Sequence, residues 1–236
     1  MITLALESAA AVASVALTED GCTLAELTLD NGNTHSETLL PMADMLFRLT
    51  GRTLADVDLF AVSVGPGSFT GIRIGAATVK GLAFGSGKCC LGVSSLEALA
   101  YGLRGQDGLI CPVLNARRRQ VYTALFRSDG GRITRLTDDE VCPVDGLDER
   151  LAGYAEPVLF VGDASRLATD AVTHAVRTVA APLLRASAAA VAYAAEAAYA
   201  AEAAYARGAR GSDATLSPVY LRPCQAERER LERLKS

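Results

Sequence analysis

Three short stretches at the start of the chain, ITLALES, AVASVALTEDG and CTLAELTLD, carry apolar residues in alternation or in runs of strand length. Such patterning, bounded by turn residues, predicts three β-strands, and Glu19-Asp20-Gly21 predicts the hairpin turn between the second and third. From His35 the spacing becomes helical: HSETLLPMADMLFRLTG places apolar residues along one face and stops at Gly51. LFAVSVG then predicts a buried strand, TGIRIGAATVKGLAFGSG a helix, CCLGVS a strand and SSLEALAYGL a helix. The order is β-β-β-α-β-α.

The second half repeats it, with strands in LICPVLNAR, QVYTALFRSDGG and ITRLTDDEV, a helix in VDGLDERLAG, the strand PVLFVGD and a helix from Ser165. Two similar lobes, 1–105 and 106–236, are the economical division. No Pro-, Gly- or Ser-rich linker separates them, so they are expected to pack together. Short turns make the first three strands of each lobe antiparallel, whereas the fourth follows a helical crossover and can run parallel.

The Ala-rich segment RASAAAVAYAAEAAYAAEAAYARG (185–208) looks like a membrane span until Arg185, Glu196, Glu202 and Arg207 are read. It predicts a long helix of a soluble second lobe. Its hexad repeat AAYAAE advances a helix by roughly 600°, which places Tyr193, Tyr199 and Tyr205 on three different sides and rules out a single tyrosine stripe.

With 50% hydrophobic and 21% charged residues in 236, the chain has the makeup of an ordinary globular protein. A net charge of −4 argues against a self-sufficient nucleic-acid binder, and the densest basic run, Arg117-Arg118-Arg119, reads as a solvated strand edge. The amino terminus lacks a basic n-region and has Glu7 within its apolar run, so it reads as a strand of a cytoplasmic protein and not as a signal peptide. Six cysteines, at 22, 89, 90, 111, 142 and 224, form no CxxC and are expected to be reduced thiols packed as small hydrophobes.

The segment with most chemical promise is SVGPGSFTGIRIG, Ser63 to Gly75. It lacks the lysine of a P-loop and misses G-x-G-x-x-G by one residue. Ser68 and Thr70 sit at a strand-to-helix turn, where a nucleophile would need a base, yet the chain has only His35 and His174, and His35 reads as a residue of a helix start that Thr34 or Ser36 can cap. Glycine inside a helix costs about 1 kcal/mol against alanine, so something should offset Gly71, Gly75, Gly81 and Gly85. Pairs four apart share a helix face and admit another backbone, either from this chain or from a second subunit.

At these residues the sequence resembles the TsaB family, also called YeaZ. GPGSFTGIRIG followed by KGLA (Lys80 to Ala83), HSETLLPM (His35 to Met42), NARRRQVY (Asn115 to Tyr122, with Asn115 and Gln120 in place of the usual acids) and PVYLRP (Pro218 to Pro223) carry the likeness. It leaves out mainly the Ala-rich helix and the final ERERLERLKS. The resemblance implies an α/β, actin-like ASKHA fold of two RNase H-like lobes, each with a mixed five-stranded sheet and helices. It implies a non-catalytic partner of TsaD, which transfers threonylcarbamoyl to adenosine 37 of tRNAs reading ANN codons. TsaE and tRNA would join through the complex, ATP and threonylcarbamoyl-AMP would sit on partner subunits, and the chain alone would homodimerise.

The first-lobe interface so implied comprises His35, Glu37, Leu39, Met42, Met45 and Leu46 on the first helix, and Gly71, Arg73, Gly75, Val79 and Leu82 on the second. Gly65, Pro66, Gly67, Ser68, Phe69 and Thr70 form the motif loop. The catalytic cousin carries a metal-binding HxxxH where this chain has Ser95 and Leu99, a pair that cannot ligate a metal. Actin-like ATPases generally open with an Asp and a following glycine, where this chain has Glu7-Ser8-Ala9, and Gly162-Asp163-Ala164 stands where a paired-glycine adenosine loop is expected. The competing reading is an active enzyme, a metal-independent peptidase or a sugar-kinase-like phosphotransferase, using Glu7, Ser68 or Thr70.

Overall fold

Alternation along β1 (Ile2–Glu7) sends Leu4 and Leu6 to one side of a sheet and Ala5 to the other, and all three are sealed from solvent. The computed structural model describes residues 1–32, 34–205 and 211–222, with backbone alone for 202–205. Arg207, Pro223, Cys224, the side chains of Glu202 and Tyr205 and the ERERLERLKS tail lie outside the described residues.

β1 pairs antiparallel with β2 (Ala13–Glu19), which pairs antiparallel with β3 (Cys22–Leu29) across a turn in which Asp20 and Gly21 have φ of 49° and 79°. β4 (Leu59–Gly65) and β5 (Cys89–Ser94) add in parallel, giving the order β3-β2-β1-β4-β5. The mixed five-stranded sheet expected of the first lobe is therefore present. Val15, Leu17, Phe60 and Val62 join Leu4 and Leu6 beneath α1 (His35–Thr50) and α2 (Phe69–Ala83).

The opposite face is made of small residues, Ala5, Ala16 and Ala61, with Leu59 and Val93, and it is covered by α6 (Ala188–Tyr205). Alanines on both surfaces, including Ala188, Ala192 and Ala195 of the helix, let helix and sheet approach closely. Polar ties fix the helix there. Glu26 of β3 accepts from the Ala189 N–H (3.0 Å) and the Ser187 hydroxyl (2.6 Å), Ser14 accepts from the Ala188 N–H (3.1 Å), and Thr18 donates to Glu196 (2.5 Å). A carboxylate at a helix N-terminus satisfies free amides and complements the dipole. The Ala-rich helix, assigned from sequence order to the second lobe, thus packs on the first.

In the second lobe β6 (Gly108–Asn115) is flanked on one edge by β11 (Val158–Val161), in parallel. It pairs antiparallel with β8 (Phe126–Asp129) along its first half and with β7 (Gln120–Thr123) along its second. The single strand expected over QVYTALFRSDGG is thus broken at Ala124-Leu125, and its neighbour likewise into β9 (Arg132–Arg135) and β10 (Glu140–Pro143). At the break Leu125 O accepts from both Leu136 N and Thr137 N, while the Thr137 hydroxyl accepts from Leu125 N (2.8 Å). Among the described residues the sheet has six strand segments, and beyond β11 it continues as a parallel bridge between Val158 and Val176. α4 (Leu147–Leu151) and α5 (Ser165–Ala171) cover one face.

α3 (Ser95–Tyr101) closes the other face, with Leu96, Leu99 and Ala100 against Ile110, Phe126 and Leu159, while its Ala98 reaches the core beneath α6. The two lobes therefore share a helix and pack together, as the missing linker implies. Ser95 and Leu99 are themselves buried in this packing.

Candidate functional site

The motif loop runs from the end of β4 into α2, and its glycines are there because other chain segments lie against them. Gly65 has φ +118°, and a Cβ on it would stand 2.4 Å from the Val219 carbonyl oxygen. On Gly67 it would meet Ala9 O at 2.3 Å, on Gly71 Ser8 O at 2.0 Å and on Gly75 Ser8 Oγ at 2.3 Å. Ser68 N–H donates to Ala9 O (2.7 Å), and Ser8 Oγ donates to Gly71 O (2.9 Å). The close-approach partner of Gly71 and Gly75 is this chain's own β1–β2 loop. Gly81 and Gly85 face open space.

Between the lobes lies a cleft of about 620 Å³, walled by the β1–β2 loop, His35 and the motif loop on one side and by Asn115, Arg117, Tyr122 and Asp163 on the other. The carboxy-terminal segment 211–222 runs along the first lobe and reaches the cleft with Val219, Tyr220, Leu221 and Arg222. Gly211 O accepts from Cys90 N (3.0 Å), Val219 N donates to Val64 O (2.8 Å), and Leu216 is buried in the first core. Tyr220 stacks on Phe69 at 4.6 Å, and Arg73 lies 3.9 Å over Phe69 while its Nε donates to the Tyr220 hydroxyl (2.8 Å). Arg222 then reaches the second lobe, donating to Ala116 O (2.7 Å). This segment explains why the PVYLRP signature accompanies the glycine loop: Val219 fills the space that Gly65 leaves.

Candidate nucleophile and base are engaged elsewhere. Ser68 Oγ accepts from Gly71 N (3.3 Å) as the cap of α2, and His35 Nε2 bonds Ala10 O (3.0 Å). No hydrogen bond joins the two among the described residues. Glu7 is completely buried, accepting from Ala9 N–H (2.6 Å) and the Ser63 hydroxyl, and burial pushes its carboxyl above the usual range. It does not wall the cleft. Asp163 does, and accepts from Asn115 N (2.8 Å). Cys90, Cys111 and Cys142 are buried, Cys22 is exposed and Cys89 half-buried, and burial pushes the Cys111 thiol up to about 12.

The helix residues expected at a subunit interface divide sharply. Leu39, Met42, Leu46, Gly71, Gly75 and Val79 are buried in the first lobe and form no surface, which corrects their assignment. His35 and Leu82 are half-buried, and only Glu37, Met45 and Arg73 are exposed. The apolar surface of α1 and the end of α2 consists instead of Leu40, Met45, Leu49 and Phe84, exposed by 51, 48, 67 and 81%. Helical register contains part of this signal: with 39, 42, 43 and 46 facing the sheet, 40 and 45 fall on the outward side, whereas Leu49 shares the stripe of Met42 and is exposed because it lies in the last turn of α1, one residue before its end at Thr50.

The fold and cleft define the chain first as an actin-like protein of two RNase H-like lobes. The structure of ethanolamine utilization protein EutJ from Carboxydothermus hydrogenoformans shares that fold, with TM-score 0.55 at 14% identity over 82% of this chain and 90% of that one. Residues 30–227 match the family model of TsaD, tRNA N6-adenosine threonylcarbamoyltransferase. The chain is 34% identical over 162 residues to the tRNA threonylcarbamoyladenosine biosynthesis protein TsaB of Bacillus subtilis, covering 69% of this chain and 71% of that protein. It is 36% identical over 128 residues to its Escherichia coli namesake, covering 53% and 55%. YeaZ from Pseudomonas aeruginosa superposes with TM-score 0.77 at 28% identity, over 93% of this chain and 99% of that one. The chain belongs to the TsaB (YeaZ) family.

Proposed function

We propose that this chain is a non-catalytic subunit in tRNA threonylcarbamoyladenosine synthesis, docked through the exposed face of α1 and α2 on a TsaD-type subunit. The observation that carries the reading is that face. Four large apolar side chains, Leu40, Met45, Leu49 and Phe84, are exposed on one helical layer whose inner residues are fully engaged in the core. The TsaD family model matches this chain as well, so a partner of the same fold presents a comparable helical layer. A face suited to such a partner is also self-complementary, which accounts for a homodimer when the chain is alone.

The sealed Glu7, the capping role of Ser68 and the buried Ser95 and Leu99 support leaving the chemistry to the partner. On this reading TsaD transfers the threonylcarbamoyl group from threonylcarbamoyl-AMP to adenosine 37 of tRNAs reading ANN codons, ATP belongs to the partner subunits, and TsaE joins the assembly. Light scattering after size exclusion tests it. The wild-type chain mixed with TsaD of the same organism should run as a one-to-one heterodimer. Met45→Asp with Leu49→Asp, both solvent-facing, should change stability by less than about 0.5 kcal/mol per site. The same pair should weaken the heterodimer roughly 100-fold, as expected when central apolar contacts are lost. An unchanged heterodimer would place the interface elsewhere.

A further inference from the structure

Arg117, Arg118 and Arg119 have φ of 63°, 53° and 54°, three successive left-handed residues with no glycine among them. L-residues adopt this conformation at a cost, and a run of three persists only where its surroundings over-determine it. Here they do. Asn115 Oδ1 accepts from Arg117 N (2.7 Å), Arg117 O accepts from Gln120 N (3.0 Å), and Arg119 O accepts from Val144 N (2.9 Å). Ala116 is held by Gln120 O on its N–H (2.9 Å) and by Arg222 on its carbonyl (2.7 Å).

The result is a buttressed turn with all three arginines exposed, Arg117 among the residues that wall the cleft and the other two following it. Arg119 is paired with Asp145 (2.8 Å), while Arg117 and Arg118 have no carboxylate partner among the described residues. Two guanidinium groups without a carboxylate partner among the described residues, displayed by a strained and buttressed backbone, suit a polyanion. The cleft itself suits free phosphate poorly. Three amides of its loop are occupied, Ser68 N by Ala9 O, Gly71 N by Ser68 Oγ and Ile72 N by Ser68 O, and Asp163 adds negative charge to the opposite wall.

We propose that the Arg117–Arg119 turn contacts the sugar-phosphate backbone of an RNA strand passing over the rim of the cleft. The identity of that RNA as the tRNA substrate rests on the function proposed above. Phosphate contacts of this kind position a substrate without reading its sequence.

The test titrates an unmodified tRNA transcript against the full chain, alone and assembled with TsaD, over a range of salt concentrations. Two double variants are used: Arg117→Gln with Arg118→Gln, which removes charge, and Arg117→Gly with Arg118→Gly, which removes both charge and strain. Each should weaken tRNA binding about fivefold or more and lower the slope of log affinity against log salt by roughly 1.5 to 2. The glycine pair should also raise Tm by about 2–4 °C, a gain in stability with a loss of binding that a merely structural turn would not show.

Unchanged tRNA affinity and salt slope in an intact assembly would overturn the proposal while leaving the partner reading in place. Loss of ATP binding with tRNA binding retained would also overturn it, in favour of a mononucleotide site. If no assembly forms, the partner reading fails, and the turn is judged on the chain alone. There, absence of tRNA binding, or binding that the variants do not change, overturns it.

Discussion

Gly75→Leu unfolds the protein instead of parting it from a partner. A Cβ at this position would already stand 2.3 Å from Ser8 Oγ and 3.0 Å from a Val62 methyl, and leucine adds three more carbons to a helix seated on a fully buried strand. Overpacking of this kind ordinarily costs about 1–3 kcal/mol, and with no room for the first carbon the loss should exceed about 3 kcal/mol. Gly81 lies on the same helix with nothing within 4 Å of its Cβ position. Gly81→Ala should therefore gain roughly 0.5–1 kcal/mol from helix propensity alone. Urea titrations of the two variants check both signs, and a stable Gly75→Leu monomer that fails to associate would return this glycine to the interface.

The contrast shows what the sequence could convey. Spacing identified a close-approach face on α2, but it could not say which backbone approached, because Ser8 is more than sixty positions away and its contact depends on the parallel pairing of β1 with β4. Apolar character similarly drew attention to Leu39, Met42 and Leu46, when the register that buries them is what exposes Leu40 and Met45. The first sheet was legible strand by strand, since each strand lies between clear turn or helix signals. In the second lobe, the break at Ala124-Leu125 was hidden within a continuous apolar pattern, since both residues remain buried on either side of it. Placement of α6 failed for a related reason. A helix rich in alanine has almost no directional pattern of its own, and the small residues of the first sheet, the Glu26 and Ser14 caps and the Thr18–Glu196 bond decide where it docks.

Glu7 offers the second large effect and bears directly on where the chemistry resides. Its carboxyl is raised above the ordinary 4.5 chiefly by burial, against the hydrogen bonds from Ser63, Ala9 and their neighbours. Between 4.5 and the folded value, the native protein holds a proton that the unfolded chain releases. The stability associated with this group is complete below that window and declines as pH rises through it, by at most about 1.4 kcal/mol per pH unit.

Glu7→Gln keeps an acceptor for Ala9 N–H and places an amide against the Ser63 hydroxyl, so it should abolish this decline and be more stable than the wild type at pH 8. Glu7→Ala leaves both partners unsatisfied in a dry interior and should cost about 3 kcal/mol. Thermal unfolding from pH 4 to 8 separates these cases, and identical pH profiles for the wild type and the glutamine variant would refute a buried, proton-holding Glu7. A carboxyl that is sealed from the cleft and most comfortable when neutral is a structural residue, so Glu7→Gln should leave partner binding and tRNA modification by the assembly intact. Loss of modification in a stable, fully assembled Glu7→Gln variant would instead bring an ionised Glu7, and with it part of the chemistry, back into this chain.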